Sequence, residues 1–315
     1  MPKTNKSGRE VPMVPKANFT SYYGHPIVKT APWGKDIPAY LFLGGLAGAS
    51  SLLALGAEAT GNNILRRNCK FTAVGAIGAS YLALIHDLGK PSRFVNMLRV
   101  AKPTSPMSVG TWIITFYGPA AGLSAASELR HLVNSKRISS LLKLINKPAM
   151  LGAATLAPAL SSYTAVLLGN TATPAWHSGF KEMPFVFVGS SALAAGGMGM
   201  LTSPVSQSAI ARRFAIAGVA TELFAMKKME ESMGLVSETL NSGTAGQLLK
   251  ASKILSISGL IGALLIAPKS RLGSIASGAA LVLSSICTRF GIFEAGQASS
   301  RDPKYTVVPQ KTSNS

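Results

Sequence analysis

Hydrophobic residues in this chain come in long unbroken runs, with the charged residues gathered in the gaps between them. Ile37–Ala57, Thr104–Ser127, Pro148–Phe180 and Met183–Ala211 contain no Asp, Glu, Lys or Arg, and each is at least 21 residues long. A soluble helix pairs an apolar stripe with a polar face, and these runs have no polar face. Crossing a bilayer takes roughly 20 apolar residues. The pattern therefore predicts an all-α integral membrane protein with eight transmembrane helices. They fall at about 37–58, 71–88, 106–129, 149–170, 183–202, 211–229, 253–268 and 272–293, the sixth interrupted by Glu222. A polar N-terminal tail is expected over 1–35, the transmembrane domain over 36–294 and a polar C-terminal tail over 295–315.

Local signals support the first span. Asp36-Ile-Pro suits a helix start, since Asp favours the N-terminus and Pro tolerates the first turn. Gly44 with Gly48, and Gly118 with Gly122, form GxxxG pairs that let another helix approach closely.

Charge changes the picture only in part. Thirty-one Lys and Arg against 12 acids give a net charge of +19 over 315 residues. In a soluble protein that excess would suggest nucleic acid. Here the basic residues lie between apolar runs, where they hold loops in water and meet anionic lipid. With eight spans both termini share one side, side A. The loops of the opposite side B are short and densely basic, with Arg66, Arg67, Lys70, Lys136, Arg137, Lys143, Lys147, Arg212, Arg213, Lys269 and Arg271, which favours side B as cytoplasmic. Cys69 and Cys287 are too few for an iron–sulfur cluster or a disulfide framework. His25, His86, His131 and His177 do not supply two haem ligands at matching depth, so no haem or metal is expected in this chain. Met1–Lys35 lacks the apolar core of a cleavable signal.

Ionisable groups at membrane depth are costly and usually functional. Glu58 and Glu128 fall at side-B ends of spans, where an interfacial carboxylate costs little. Glu222 lies within the sixth span and Arg289 within the eighth. A Glu–Arg pair between helices is one account of them, and a proton path through Glu58, Glu128, Glu222 and Arg289 is the other. His86 and Asp87 close the second span, and Tyr163 lies a turn or two below the side-A end of the fourth. All five of His86, Asp87, Tyr163, Glu222 and Arg289 come from even-numbered spans and fall in the side-A half. Such a cluster suits a carbonyl-bearing amphiphile such as a quinone, with Tyr and His donating hydrogen bonds and Asp relaying the proton.

The stretches IPAYLFLGGLAGAS (37–50), DLGKPSRFVNMLRVAKPTSPMSVGTW (87–112), YTAVLLGNTATPAWH (163–177) and FEAGQASSRDPKYTVVPQ (293–310) resemble the NrfD/polysulfide-reductase membrane-subunit family, most nearly its actinobacterial-type members. The likeness covers nearly the whole chain, and its 87–112 segment is the most specific part. It implies two four-helix bundles in the bacterial cytoplasmic membrane. It further implies a menaquinone or ubiquinone bound as substrate, no redox group in this chain, and docking to a four-cluster iron–sulfur subunit that connects to a molybdopterin catalytic subunit. By the same resemblance Tyr163 corresponds to the quinone-site tyrosine and Asp87 to the acid at the end of the second span. The basic loop carrying Lys90, Arg93, Arg99 and Lys102 corresponds to part of the docking face. The first span offers Pro38, Tyr40 and Phe42 where polar quinone ligands would be expected. Two other readings compete. A secondary transporter or proton channel would use the same acids, and would be marked by discontinuous helices at matched positions in the two halves. A plain tether would hold a partner with no quinone dependence.

Overall fold

The computed structural model describes residues 26–90 and 92–313. Residues 1–25, including His25 and most of the expected N-terminal tail, lie outside the described residues. Among those described there is no strand, and eight helices have 20 residues or more. They are α1 (Asp36–Ala59), α2 (Asn63–Asp87), α3 (Pro106–Ala126), α4 (Lys136–Gly169), α5 (Met183–Thr202), α6 (Ala209–Ser232), α7 (Gly243–Leu265) and α8 (Arg271–Arg301). All but α3 and α6 are long and apolar enough to cross a membrane. Gly, Ser and Pro dilute α3, and charged residues at both ends dilute α6.

Several helices exceed their expected spans, for a common reason. α2 starts at Asn63 and α4 at Lys136, ahead of the expected 71 and 149. The basic residues in these segments read as loop, but at helical spacing they form a polar face at the water boundary. Arg66 and Lys70, four residues apart, lie on one side of α2 and reach the same carboxylate, Glu128. The 34 residues of α4 also accept Pro148 and Pro158 in the interior. α6 runs unbroken through Glu222, contrary to the expected interruption. α8 continues past 294 to Arg301, and residues 295–300 are largely buried rather than part of a solvated tail.

The packing explains that continuation. Trp176, on a short helix at Pro174–Ser178, is fully buried and donates its indole N–H to the Ile292 carbonyl at 2.9 Å. Its ring stacks on Trp33 at 5.7 Å and tilts against Phe293 at 5.6 Å. Gly296 makes room for it, since any side chain there would overlap the indole. Gln297 donates to the Ala31 carbonyl at 3.1 Å. The segment before α1 and the end of α8 are thus bound into one side-A plug.

α1 and α5 are the central helices, with 67% and 72% of their most apolar stretches buried against 28% for α7. α1 packs on α2, α4 and α5, and α5 packs on α6, α8 and α4. α3 lies on α4, and α7 on α8. Apolar side chains gain nothing by leaving lipid for protein, so close backbone approach must hold such helices together. Gly197 of α5 and Gly278 of α8 face each other: a Cβ on either would lie 2.5–2.7 Å from the other's carbonyl oxygen. Gly189 and Gly196 make similar approaches to α6, at Glu222 and Ala211. The expected GxxxG behaves in part likewise, with Gly48 against Ala157 and Ser161 of α4, whereas Gly122 has no neighbour there. At side B, Arg271 donates to the terminal carbonyls of α5, reaching Met200 at 2.8 Å and Leu201 at 2.5 Å, which satisfies groups every helix end leaves open.

Gly278→Val is expected to overpack the α5–α8 contact, at a cost of about 1–3 kcal/mol, and to lower the thermal midpoint in detergent by several degrees. Gly122→Ala, where the added methyl meets open space, should leave the midpoint unchanged or raise it slightly.

Candidate functional site

Tyr163 lies six residues before the side-A end of α4, a depth of about 9 Å at 1.5 Å per residue. The side chain is 7% exposed. Its ring rests on Gly110 of α3, where any Cβ would overlap the aromatic carbons. The hydroxyl is buried and meets no hydrogen-bond partner among the described residues. Buried tyrosine hydroxyls ordinarily find one. Tyr117 on α3 shows the ordinary case, donating to the Ala47 carbonyl at 2.6 Å with Ser51 Oγ at 2.7 Å. Ser50 on α1 and Ser161 on α4 have the same open character as Tyr163. An unpaired buried O–H on a glycine-backed ring fits a ligand carbonyl, the chemistry a quinone presents. On the outer face of α3 an apolar groove of about 290 Å³ is lined by Lys102, Pro103, Val109, Trp112, Phe116 and Leu156. Trp112 and Phe116 stack within it at 5.8 Å.

His86 and Asp87 sit at the side-A surface and face the chain leading into α1. His86 is 81% exposed, with Nδ1 2.9 Å from an Asp36 oxygen. The Asp87 carboxylate accepts from the Gly34 N–H at 3.4 Å. Gly89, at φ +69°, then turns the chain out of α2. Among the described residues no hydrogen bond joins either group to Tyr163.

The loop that follows is exposed and strapped down. Lys90, Arg93, Arg99 and Lys102 all point to solvent, and none forms an ion pair within 4.0 Å among the described residues. Arg93 donates to the Leu88 carbonyl at 3.2 Å. The Lys102 N–H donates to Ser108 Oγ at 2.9 Å, and both Ser108 Oγ and the Trp112 indole donate to the Val100 carbonyl. Phe94 packs edge-on against Tyr81 at 6.1 Å. Val95, Val100 and Met107 are exposed beside the basic residues.

Glu222 and Arg289 form a separate polar centre among α5, α6, α7 and α8. Both are buried, yet no ion pair within 4.0 Å joins them. One Glu222 oxygen accepts from Thr288 Oγ1 at 2.6 Å, and Thr288 meets Ser252 Oγ of α7, also at 2.6 Å. Arg289 Nη2 donates to the Phe187 carbonyl at 2.7 Å and to Ser191 Oγ at 2.8 Å, and the guanidinium lies 3.8 Å from the Phe187 ring centroid. The other Glu222 oxygen, with Nε and Nη1 of Arg289, has no hydrogen-bond partner among the described residues. The five side-A-half candidates therefore do not form one cluster. They divide between the α2 lip, the Tyr163 face of α4 and this centre.

Glu58 and Glu128 belong to a fourth place, at side B. Arg66 bridges them, 2.6 Å from Glu58 and 3.1 Å from Glu128. Lys70, only 2% exposed, donates to Glu128 at 2.7 Å and to Asn146 Oδ1 at 2.7 Å. The basic pattern reads Lys70 as a loop residue and carries no sign of Asn146; the four-residue spacing of Arg66 and Lys70 opposite a lone acid is the signal for the first. Burial pushes the Glu128 carboxyl up, but hydrogen bonds and charge from Lys70 and Arg66 outweigh it, and the net displacement is downward. A carboxyl depressed in the folded state contributes stability above the usual carboxylate range, and loses it as pH falls through the folded value. Glu128→Gln should thus destabilise the protein at pH 7 by about 3 kcal/mol, since it strands a buried lysine. Thermal midpoints across pH should show wild type and variant converging as the pH falls below the usual carboxylate range, through the depressed folded value of Glu128.

Comparison with known proteins rests on the family model. A search of curated proteins finds no match. The polysulphide reductase, NrfD, family model matches residues 27–237, which takes in α1 to α6, the basic loop and Tyr163. With several helices able to cross a membrane, the chain is a multi-pass membrane protein, and it belongs to the NrfD family of polysulphide reductase membrane subunits, a membership that implies a subunit of a quinone-interacting oxidoreductase complex.

Proposed function

We propose that the chain is the quinone-exchanging membrane anchor of an oxidoreductase complex, crossing the bilayer eight times as two four-helix halves, α1–α4 and α5–α8. The observation that carries this reading is the buried, unpartnered Tyr163 hydroxyl about 9 Å below the side-A end of α4. A quinone, menaquinone or ubiquinone, exchanges two electrons and two protons when bound. Tyr163 would hold its carbonyl by donating a hydrogen bond, with Gly110 keeping the ring in place. The groove at Trp112 and Phe116 opens towards lipid beside the same helices and suits an isoprenoid chain. Asp87, at the surface, would exchange protons with water. Electrons would pass to or from an iron–sulfur partner seated on the loop of Lys90, Arg93, Arg99 and Lys102, and through it a molybdopterin subunit.

The Glu222–Thr288–Ser252 line gives a proton-coupled extension of this reading its support. It links a buried carboxyl near the middle of α6 to hydroxyls near the middles of α8 and α7. A continuous α6 removes the one broken helix that favoured a transporter.

Tyr163→Phe deletes one hydroxyl and should lower quinone-linked turnover of the complex in membranes at least about tenfold, while turnover with a soluble dye is unchanged. Full quinone turnover in the variant sinks the proposal. Arg93→Glu with Arg99→Glu should release the iron–sulfur partner during purification and leave the membrane chain folded, as judged by its elution and thermal midpoint. A complex that survives both changes removes the docking role.

A further inference from the structure

The side-B ends of the first four helices enclose a cavity that the quinone reading does not use. It measures about 850 Å³ and lies between α2, the α3–α4 connection and the start of α4. Arg66, Arg67, Arg130, Lys143 and Lys147 line it against Glu58 and Glu128, five cations to two carboxylates, a net +3. Both carboxylates are committed to Arg66 and Lys70. Arg67, Arg130, Lys143 and Lys147 have no ion pair within 4.0 Å among the described residues. Ser127 and Asn146 of its lining are tied to each other, and Asn146 to the buried Lys70 behind them, by 2.7 Å hydrogen bonds. This is a preformed, electropositive recess, and its unmatched charge calls for an anion.

The wall of the recess indicates which anion. α4 has 34 residues, roughly 14 more than a bilayer requires. Its first turns carry Ile138, Leu141 and Leu144, three residues apart and 51–74% exposed, flanked by Lys136, Arg137, Lys143 and Lys147. Apolar residues on one stripe with Lys and Arg beside them characterise a helix lying in the headgroup zone. Leu144 and Ser140 line both the recess and the shallower groove beside Leu141, so the charged space opens directly onto the apolar stripe. A free phosphate would satisfy the charge alone. A phosphate carrying acyl chains would satisfy both surfaces.

We propose that this recess binds the phosphate headgroup of an anionic phospholipid, with Arg67, Arg130, Lys143 and Lys147 holding the phosphate and Ile138, Leu141 and Leu144 taking the acyl chains. The lipid would bridge α2 to α4 across the α3–α4 connection and so brace the side-B end of the first half. The proposal does not depend on quinone chemistry.

The test uses the full chain purified in detergent, with lipid retention read by native mass spectrometry and thermal midpoints read on titration. Phosphatidylglycerol or cardiolipin should be retained and should raise the midpoint, whereas phosphatidylcholine and inorganic phosphate should not. Arg67→Gln, Lys143→Gln and Lys147→Gln together should cut the preference for anionic over zwitterionic lipid at least about tenfold. Removing equal charge at Lys227, Lys250 and Lys253 should leave that preference intact. Should the triple variant misfold, Leu141→Gln with Leu144→Gln provides a second reading, since it should weaken lipid retention while keeping the charge. Equal stabilisation by inorganic phosphate overturns the lipid assignment. Equal retention of phosphatidylcholine, or an undiminished anionic preference in the triple variant, overturns the site.

Discussion

Backbone-to-backbone approach along α5 is the constraint on which the rest of this structure depends. In lipid, apolar side chains are as well solvated outside the protein as inside, so van der Waals contact and hydrogen bonds must hold the helices. Gly189 and Gly196 bring α6 against α5, and Gly197 meets Gly278 of α8. The same closeness brings Ser191 near α8, where it accepts from Arg289, and Ser190 within 2.8 Å of Ser285. Larger residues at these positions would separate the helices and leave those polar groups without partners. The small residues are therefore what makes a polar interior possible.

The broad architecture was legible in the sequence because the bilayer imposes length and apolarity directly. Each expected span coincides with a long helix, and Gly48 makes the close approach its motif promised. Boundaries were less legible, because a charged segment at a helix end resembles a loop until one asks what its side chains meet. Lys70 is the clearest example: a lysine in a basic stretch, yet 2% exposed and held by Glu128 and Asn146. That pairing depends on α2, the α3–α4 connection and α4 converging, which no local pattern encodes.

The candidate residues were legible one by one, and their arrangement was not. Tyr163 was marked by its depth in an apolar span, and the structure leaves its hydroxyl buried with no hydrogen-bond partner among the described residues. Gly110, which makes room for its ring, carries no signal of its own in the sequence. His86 and Asp87 are adjacent to the same face in sequence, yet the turn at Gly89 and the segment at Gly34–Asp36 draw them outward. Grouping residues by span and depth names the helix and the turn. It does not give the rotation of each helix, and rotation decides which side chains meet.

Arg289 illustrates how the interior tolerates a charge without a carboxylate in contact. Taking a guanidinium out of water costs several kcal/mol unless other groups replace the lost hydration. Here the Phe187 carbonyl, Ser191 Oγ and the Phe187 ring face supply part of that replacement. Gly45 of α1 leaves the space, for a side chain at that position would overlap Ser191 and press on the guanidinium. Glu222 instead spends its bonded oxygen on Thr288, one residue before Arg289 in α8. The two charges are thus near neighbours held apart by their own partners, each keeping unpaired atoms. A salt bridge satisfied in full would have locked α6 to α8. Here the α6–α8 contact runs instead through Thr288, and the α5–α8 contact through the Phe187 carbonyl and Ser191, with no ion pair within 4.0 Å between Glu222 and Arg289 among the described residues.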